Sequence, residues 1–341
     1  MAVIVGVHGI AQQYKGAETS DWLGSLRDGL RLAGRERGGD GAGESSPALP
    51  EADDLTMAFW GDLFRPAGGK SPGDLPPWDV HDVDDGAEEG LEAELLKAWW
   101  VETSKVDENV PKPDEDLLAA WRTGDRTSAT AEDVWLQDWW NAASDGSSVE
   151  EDVHEGRAKA RTSAWKQEAL MRLSESRFFA GWAERMFVGA LKQVVAYVND
   201  PDMRRDMRQR VEEQVADDTR VMVGHSLGSV IAYEALCAHP EWPVTHLVTL
   251  GSPLGIPNVI FDRLDPVPVN GRGVRPPGIE SWTNIADQGD VVALRKELDP
   301  IFDGPVTDVL VHNGPDAHSI VPYLTAVETG RAIRSGLVGM L

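Results

Sequence analysis

The chain has 341 residues, 41% of them hydrophobic, enough for a sizeable buried core in one large domain or two ordinary ones. A net charge of −25 and an isoelectric point near 4.6 argue against nucleic acid and anionic membrane surfaces as partners, because the long-range field repels both. A single cysteine, Cys237, precludes an intramolecular disulfide and suits a reducing compartment.

Residues 2–8, AVIVGVH, are apolar and β-branched and read as a strand buried on both faces of a parallel sheet. No Lys or Arg precedes this run, and it is too short for a signal-peptide core. No later stretch approaches the roughly 18 apolar residues of a membrane span. These features predict a cytoplasmic chain without stable membrane insertion. His8-Gly9-Ile10 forms the turn after the strand. Trp22, Leu23, Leu26, Leu30 and Ala33 then recur at helical spacing over 20–34, with Ser20 or Thr19 as N-cap. Residues 36–52 read as a loop, and 55–60, LTMAFW, as a second strand, which makes a βαβ beginning.

The character changes from about 66 to 177. This segment carries 26 acidic residues against 12 basic ones, and eight of the 13 tryptophans. A disordered acidic tail is poor in aromatics, so the segment is expected to fold at least in part. Helical periodicity marks 87–101 and 131–143, and 149–176 reads as a longer polar helix. Stretches near 66–86 and 104–113 read as loops, punctuated by Pro76-Pro77 and by Pro111 and Pro113. The segment is therefore expected to be a helical, acidic, Trp-rich insertion into a core formed by 1–65 and 178–341. It follows a parallel strand, and so emerges where ligands of open α/β sheets bind. It is expected either to cap the site or to dock a protein partner or a second subunit.

The core pattern resumes with an amphipathic helix over 178–198. Asp200 as N-cap and Pro201 as first helical residue start another helix, with Met203, Met207, Val211 and Val215 spaced by four. Strands are predicted at 220–224, 245–250, 281–286 and 307–312, and helices at 228–238 and about 319–335. Residues 252–280, with six prolines and no clear period, read as an irregular loop. Cys237 falls in the apolar stretch Ile231 to Ala238 and reads as a buried structural thiol. Six strands alternating with helices predict an α/β fold, a mostly parallel sheet covered on both faces.

The chemistry concentrates in Gly224-His225-Ser226-Leu227-Gly228. The motif alone is weak, but a buried strand ends just before it and an apolar helix starts just after it. Such a strand-turn-helix forces Ser226 into a tight, strained bend, with its hydroxyl exposed at the carboxyl edge of the sheet. The helix N-terminus there favours developing negative charge. The eight histidines do not pair with cysteines or carboxylates at metal-ligand spacings, and neither a Walker motif nor a dinucleotide fingerprint is present. No cofactor is expected.

The chain resembles the α/β hydrolases, and more narrowly their lipase- and esterase-like members. The resemblance rests on VIVGVHGI near the N-terminus, VMVGHSLGSVIAYEAL in the middle and LVTLGSPLG after it. It covers the core in the family order, about two thirds of the chain, with two leading strands of the family sheet lacking. The acidic insertion has no counterpart in the resemblance. It implies Ser226 as nucleophile, and backbone N–H groups of Ile10 and Leu227 as the oxyanion hole. His8 itself reads as a structural turn residue.

The family order, Ser then acid then His, leaves four histidines after Ser226. His239 and His246 read as structural. His318 stands on a loop after the last strand, where the family places its base, and His312 is the alternative. Asp290, followed by an apolar pair, fits the family acid, and Asp287 is the runner-up. The implied activity is hydrolysis of a carboxylic ester, of a small molecule or a lipid, through an acyl-enzyme. An acyltransferase or thioesterase on the same residues, or a non-catalytic binding protein of the same fold, are the rivals.

Overall fold

The structure, a computed structural model, describes residues 3–10, 15–35, 49–64, 89–113, 169, 172–173, 184–314 and 317–338. By its internal contacts the chain divides into two units, one of Met1–Pro77 with Gly189–Leu341, the other Trp78–Val188. Most of the expected insertion, including the helix expected at 131–143 and all its tryptophans except Trp99 and Trp100, lies outside the described residues, and so does its expected role as cap or docking surface.

The first unit is built on six strands, all parallel: β1 (Ile4–Val7), β2 (Leu55–Ala58), β3 (Val221–His225), β4 (His246–Leu250), β5 (Ser281–Asp287) and β6 (Thr307–Val311). Their order is β2-β1-β3-β4-β5-β6. The fold class is therefore α/β, as the apolar runs predict. Every residue of β1 and β3 is buried, which is why both read as continuous apolar stretches rather than alternating ones. β6 is an edge strand with two exposed residues.

Side chains alternate between the two faces of the sheet. On one face, Ile4, Val221 and Val223 join Trp22, Leu26 and Leu30 of helix α1 (Lys15–Arg35) in a common core. A Cβ at Gly6, on that same face, would stand 3.0 Å from the Trp22 ring. On the other face, a Cβ at Gly224 would meet the backbone of Ser229 at 2.5 Å, so the helix after β3 rests directly on the strand.

In the second unit, α2 (Glu89–Val106) buries Leu91, Leu95, Leu96, Trp99 and Trp100, and the Trp100 indole N–H donates to the Pro111 carbonyl at 2.8 Å. The helix runs on to 106, into the stretch that reads as a loop. In the first unit, which resumes at Gly189 within helix α3 (Glu184–Asn199), α3 is followed by α4 (Pro201–Glu212). Asp200 caps α4 as expected, its carboxylate accepting the amides of Asp202 (2.9 Å) and Met203 (3.1 Å). The helix ends before Val215, the last residue of its expected apolar series.

Helix α5 (Leu227–Ala238) follows the motif serine and is buried along most of its length. Glu234 on α5 is wholly buried and bonds the Tyr197 hydroxyl (2.6 Å), the Arg204 guanidinium (2.8 Å) and the Asp265 amide (3.0 Å). This ties α5 to α3 and α4. Cys237 is half-buried rather than buried, because it lies in the last turn of α5; burial still pushes its thiol up to about 12.

Two other expectations are corrected. Helix α1 starts at Lys15, so Thr19 and Ser20 lie inside it and are not its cap; the sequence Lys15-Gly16-Ala17-Glu18 holds no large apolar residue and so gives no periodic signal. The single helix expected over about 319–335 is two, α6 (Ile320–Thr325) and α7 (Val327–Leu337), separated by extended Ala326. The break serves packing on α1. A Cβ at Gly29 would strike the Leu324 carbonyl oxygen, and one at Gly330 would stand 2.5 Å from the Gly29 carbonyl carbon.

Candidate active site

Parallel strands in register bring their carboxyl ends to one edge. Val7 pairs with Gly224, His225 with Leu250, Leu250 with Ile285 and Asp287 with Val311. The turns after β1, β3, β4, β5 and β6 therefore share that edge. The strand order reverses between β1 and β3, the point at which open α/β sheets leave a crevice.

Ser226 leaves β3 at this point with φ 54 and ψ −134, a conformation that costs a residue bearing a Cβ energy. A serine just ahead of a helix ordinarily caps its first amides. Ser226 makes no such bond, and its Oγ lies 3.0 Å from His318 Nε2 instead. The bend is held by its surroundings. The Ser229 hydroxyl donates to the Ser226 carbonyl at 2.6 Å and lies 2.7 Å from the Ser252 hydroxyl, and the Ser226 amide donates to the Leu250 carbonyl.

The sequence pattern predicts an exposed serine, but Ser226 is only 3% exposed. The turn after β1 closes over it. A Cβ at Gly9 would stand 2.6 Å from the Ser226 Cβ, and one at Gly228 would collide with the carbonyl oxygen of Val7. Only glycine permits both approaches. They bring the His8-Gly9-Ile10 turn against the start of α5. Leu227 is the first residue of α5, where a backbone N–H has no acceptor within the helix.

His318 follows β6 on the segment that leads into α6, and its Nδ1 is 2.8 Å from Asp290 Oδ2. Asp290 accepts only, so Nδ1 carries the proton and the Nε2 lone pair faces the serine. The other Asp290 oxygen accepts the amides of Val292 (2.8 Å) and Ala293 (3.2 Å). Burial pushes the Asp290 carboxyl up, but the charge and hydrogen bond of His318, with Lys296 and the Tyr323 hydroxyl, outweigh it and hold it down at about 2.

Asp287, the runner-up acid, points elsewhere. Its carboxylate accepts the Gly289 amide at 2.6 Å and the Asn313 amide, which staples the turn after β5 to the segment after β6. His312 is exposed. His239 bonds Glu241 and stacks on Trp242, and His246 bonds the Thr245 hydroxyl. The structure thus brings Ser226, His318 and Asp290 together and leaves the alternatives apart.

The sequence assigns no role to three neighbours of this group. The His225 ring lies tilted against that of His318, centroids 4.9 Å apart and planes 31° apart, and its Nε2–H donates to the His318 carbonyl at 2.9 Å. His225 is driven well below the usual histidine range by burial and then by its His318 and His8 neighbours, and so is neutral. Burial likewise takes His8 down to about 4. Tyr323, from α6, donates its hydroxyl to Asp290 Oδ2 at 2.8 Å. Gly251, at φ +53, brings bare backbone against this group; a Cβ there would stand 2.7 Å from Asp290 Oδ2 and 3.1 Å from His318 Nδ1.

Among the described residues, no group of three or more His, Cys, Asp or Glu side chains is arranged to hold a metal, and no helix is long and apolar enough to cross a membrane. Compared with models of known protein families, with curated proteins and with solved structures, the chain matches none.

Proposed function

We propose that the protein is a serine hydrolase of the α/β-hydrolase type that cleaves a carboxylic ester, of a small molecule or a lipid, through an acyl-enzyme on Ser226. The observation that carries this reading is the hydrogen-bonded series Ser226 Oγ–His318 Nε2 (3.0 Å) and His318 Nδ1–Asp290 Oδ2 (2.8 Å), at the carboxyl edge of a parallel sheet.

In this mechanism His318 Nε2 takes the hydroxyl proton as Ser226 Oγ attacks the ester carbonyl carbon. Asp290 keeps Nδ1 protonated and stabilises the imidazolium that forms. The carbonyl oxygen becomes an oxyanion and is received by the N–H groups of Ile10 and Leu227, near the positive end of α5. His318 returns the proton to the leaving alcohol. Water, activated by the same imidazole, then releases the acid. None of these steps calls for a cofactor.

The test is a fluorophosphonate probe followed by mapping of the labelled residue. Labelling at Ser226, abolished in Ser226→Ala, is expected. Hydrolysis of p-nitrophenyl esters by Ser226→Ala is expected to fall by roughly 10⁶-fold, the scale on which a triad nucleophile acts. Labelling elsewhere, or substantial activity in the purified variant, would overturn the reading.

A further inference from the structure

Tyr323 lies in a place that an ordinary core residue does not need. Its ring is fully buried, and its hydroxyl stands between Asp287, the last residue of β5, and Asp290, in the turn after it. The hydroxyl accepts the Asp287 amide at 2.7 Å and donates to Asp290 Oδ2 at 2.8 Å. Asp290 Oδ2 is the same oxygen that receives the His318 Nδ1 proton. The Asp290 carboxylate therefore has four donors: two backbone amides on one oxygen, and His318 and Tyr323 on the other. Its orientation is fixed, and the negative charge available to the imidazole is shared with a phenol.

We infer that Tyr323 is a positioning residue that locks the acid and, by competing for Asp290 Oδ2, sets how strongly His318 holds a proton. The inference rests on the reading of Ser226, His318 and Asp290 as a catalytic triad. Tyr323 is fit for the role because it cannot ionise in the working range. Burial, then the Asp290 charge, pushes its hydroxyl well above the usual tyrosine range, so it remains a donor. It is also coupled to the base by the chain, since α6 begins two residues after His318.

The other groups around the pair leave this effect visible. His225 and His8, at the ends of β3 and β1, are held neutral by burial. Lys296, on the segment after β5, donates to the Asp290 backbone carbonyl. Asp287 is engaged by the Gly289 and Asn313 amides. Of the groups bonded to Asp290 Oδ2, only the Tyr323 hydroxyl can be removed without touching the triad.

Tyr323→Phe keeps the ring and its packing and deletes that donor alone. With one competitor gone, Oδ2 concentrates its charge on the imidazolium, which becomes easier to form. The rate of fluorophosphonate inactivation, followed against pH, needs no identified substrate. In Tyr323→Phe its acid limb is expected to move to higher pH, and its plateau to fall roughly tenfold, the scale of one hydrogen bond to a charged group. A fluorinated tyrosine placed at 323 alone is a stronger donor and should move the acid limb to lower pH. Opposite displacements from a weaker and a stronger donor are not produced by a merely structural role. A wild-type protein that is not labelled at Ser226 would remove the triad reading and this inference with it. A wild-type protein labelled at Ser226, with both variants following its pH profile, would overturn the role of Tyr323 and leave the triad standing.

Discussion

Asp287 and Asp290 are three residues apart, both buried, and either carboxylate is chemically able to hold an imidazole. The backbone decides between them: Asp287 ends β5 and turns back to the amides of Gly289 and Asn313, while Asp290 meets the His318 ring. The two predict different failures. Asp290→Asn should lower kcat on an ester by about 10⁴-fold, because an amide no longer enforces the imidazole tautomer that faces the serine. Asp287→Asn should keep kcat within its wild-type order of magnitude and instead lose about 1–3 kcal/mol of stability, the cost of leaving a buried amide poorly paired. Parallel ester kinetics and denaturant melts on the two variants check this; a reversed ranking would move the acid to Asp287. At this scale the sequence singles out the three side chains that the structure brings together, Ser226, His318 and Asp290, because each is tied to a turn of recognisable composition. It shows nothing of Tyr323 or His225 as supports. An aromatic residue in an amphipathic helix has the same pattern whether its hydroxyl meets a carboxylate or a void.

At the scale of elements, the strands were legible to within a residue or two at most ends, since strands buried on both faces are continuous apolar runs between polar turns. The break between α6 and α7 was not legible. Residues 319–337 carry an unbroken helical period, and the interruption arises from how they cross α1. Gly29 and Gly330 mark that crossing, and a paired substitution tests it. Glycine inside a helix costs about 1 kcal/mol relative to alanine, so Gly→Ala stabilises where there is room. Gly24, on the exposed side of α1, has nothing within 4 Å of its Cβ position, and Gly24→Ala is expected to gain most of that amount. At Gly330 the new methyl meets the backbone of Gly29, which cannot turn aside as a side chain can. Overpacking of this kind costs about 1–3 kcal/mol and outweighs the propensity gain. Gly330→Ala should therefore be destabilising, with the sign opposite to Gly24→Ala in the same thermal or urea melt. Two stabilising substitutions would mean that α1 and α7 do not cross closely.

For the whole molecule, acidity acts in two opposed ways. With a net charge of −25, the folded chain repels itself at neutral pH, and protonating carboxylates relieves this as the pH falls toward the isoelectric point near 4.6. The histidines at the carboxyl ends of β1 and β3 act in the other direction. His8 is lowered from 6.5 to about 4, and His225 is also lowered, both chiefly by burial. An unfolded chain protonates these rings near pH 6.5 while the folded chain does not, so the unfolded state binds more protons below that pH. Their contribution is complete above the unfolded value of 6.5 and is lost as the pH falls through the folded value, on the order of 3 kcal/mol for His8 alone. Asp290, held at about 2, adds a loss of the same sign only below 3.8. Salt separates the two effects. At about 1 M ionic strength the Debye length is about 3 Å, so surface repulsion is screened, whereas proton uptake by a ring buried in the fold persists. Urea melts in high salt should therefore lose stability steadily from about pH 7 to pH 5, and His8→Gln, which cannot take up the proton, should flatten the slope. An unchanged slope in His8→Gln would show that the burial of His8 is not what makes this fold sensitive to acid.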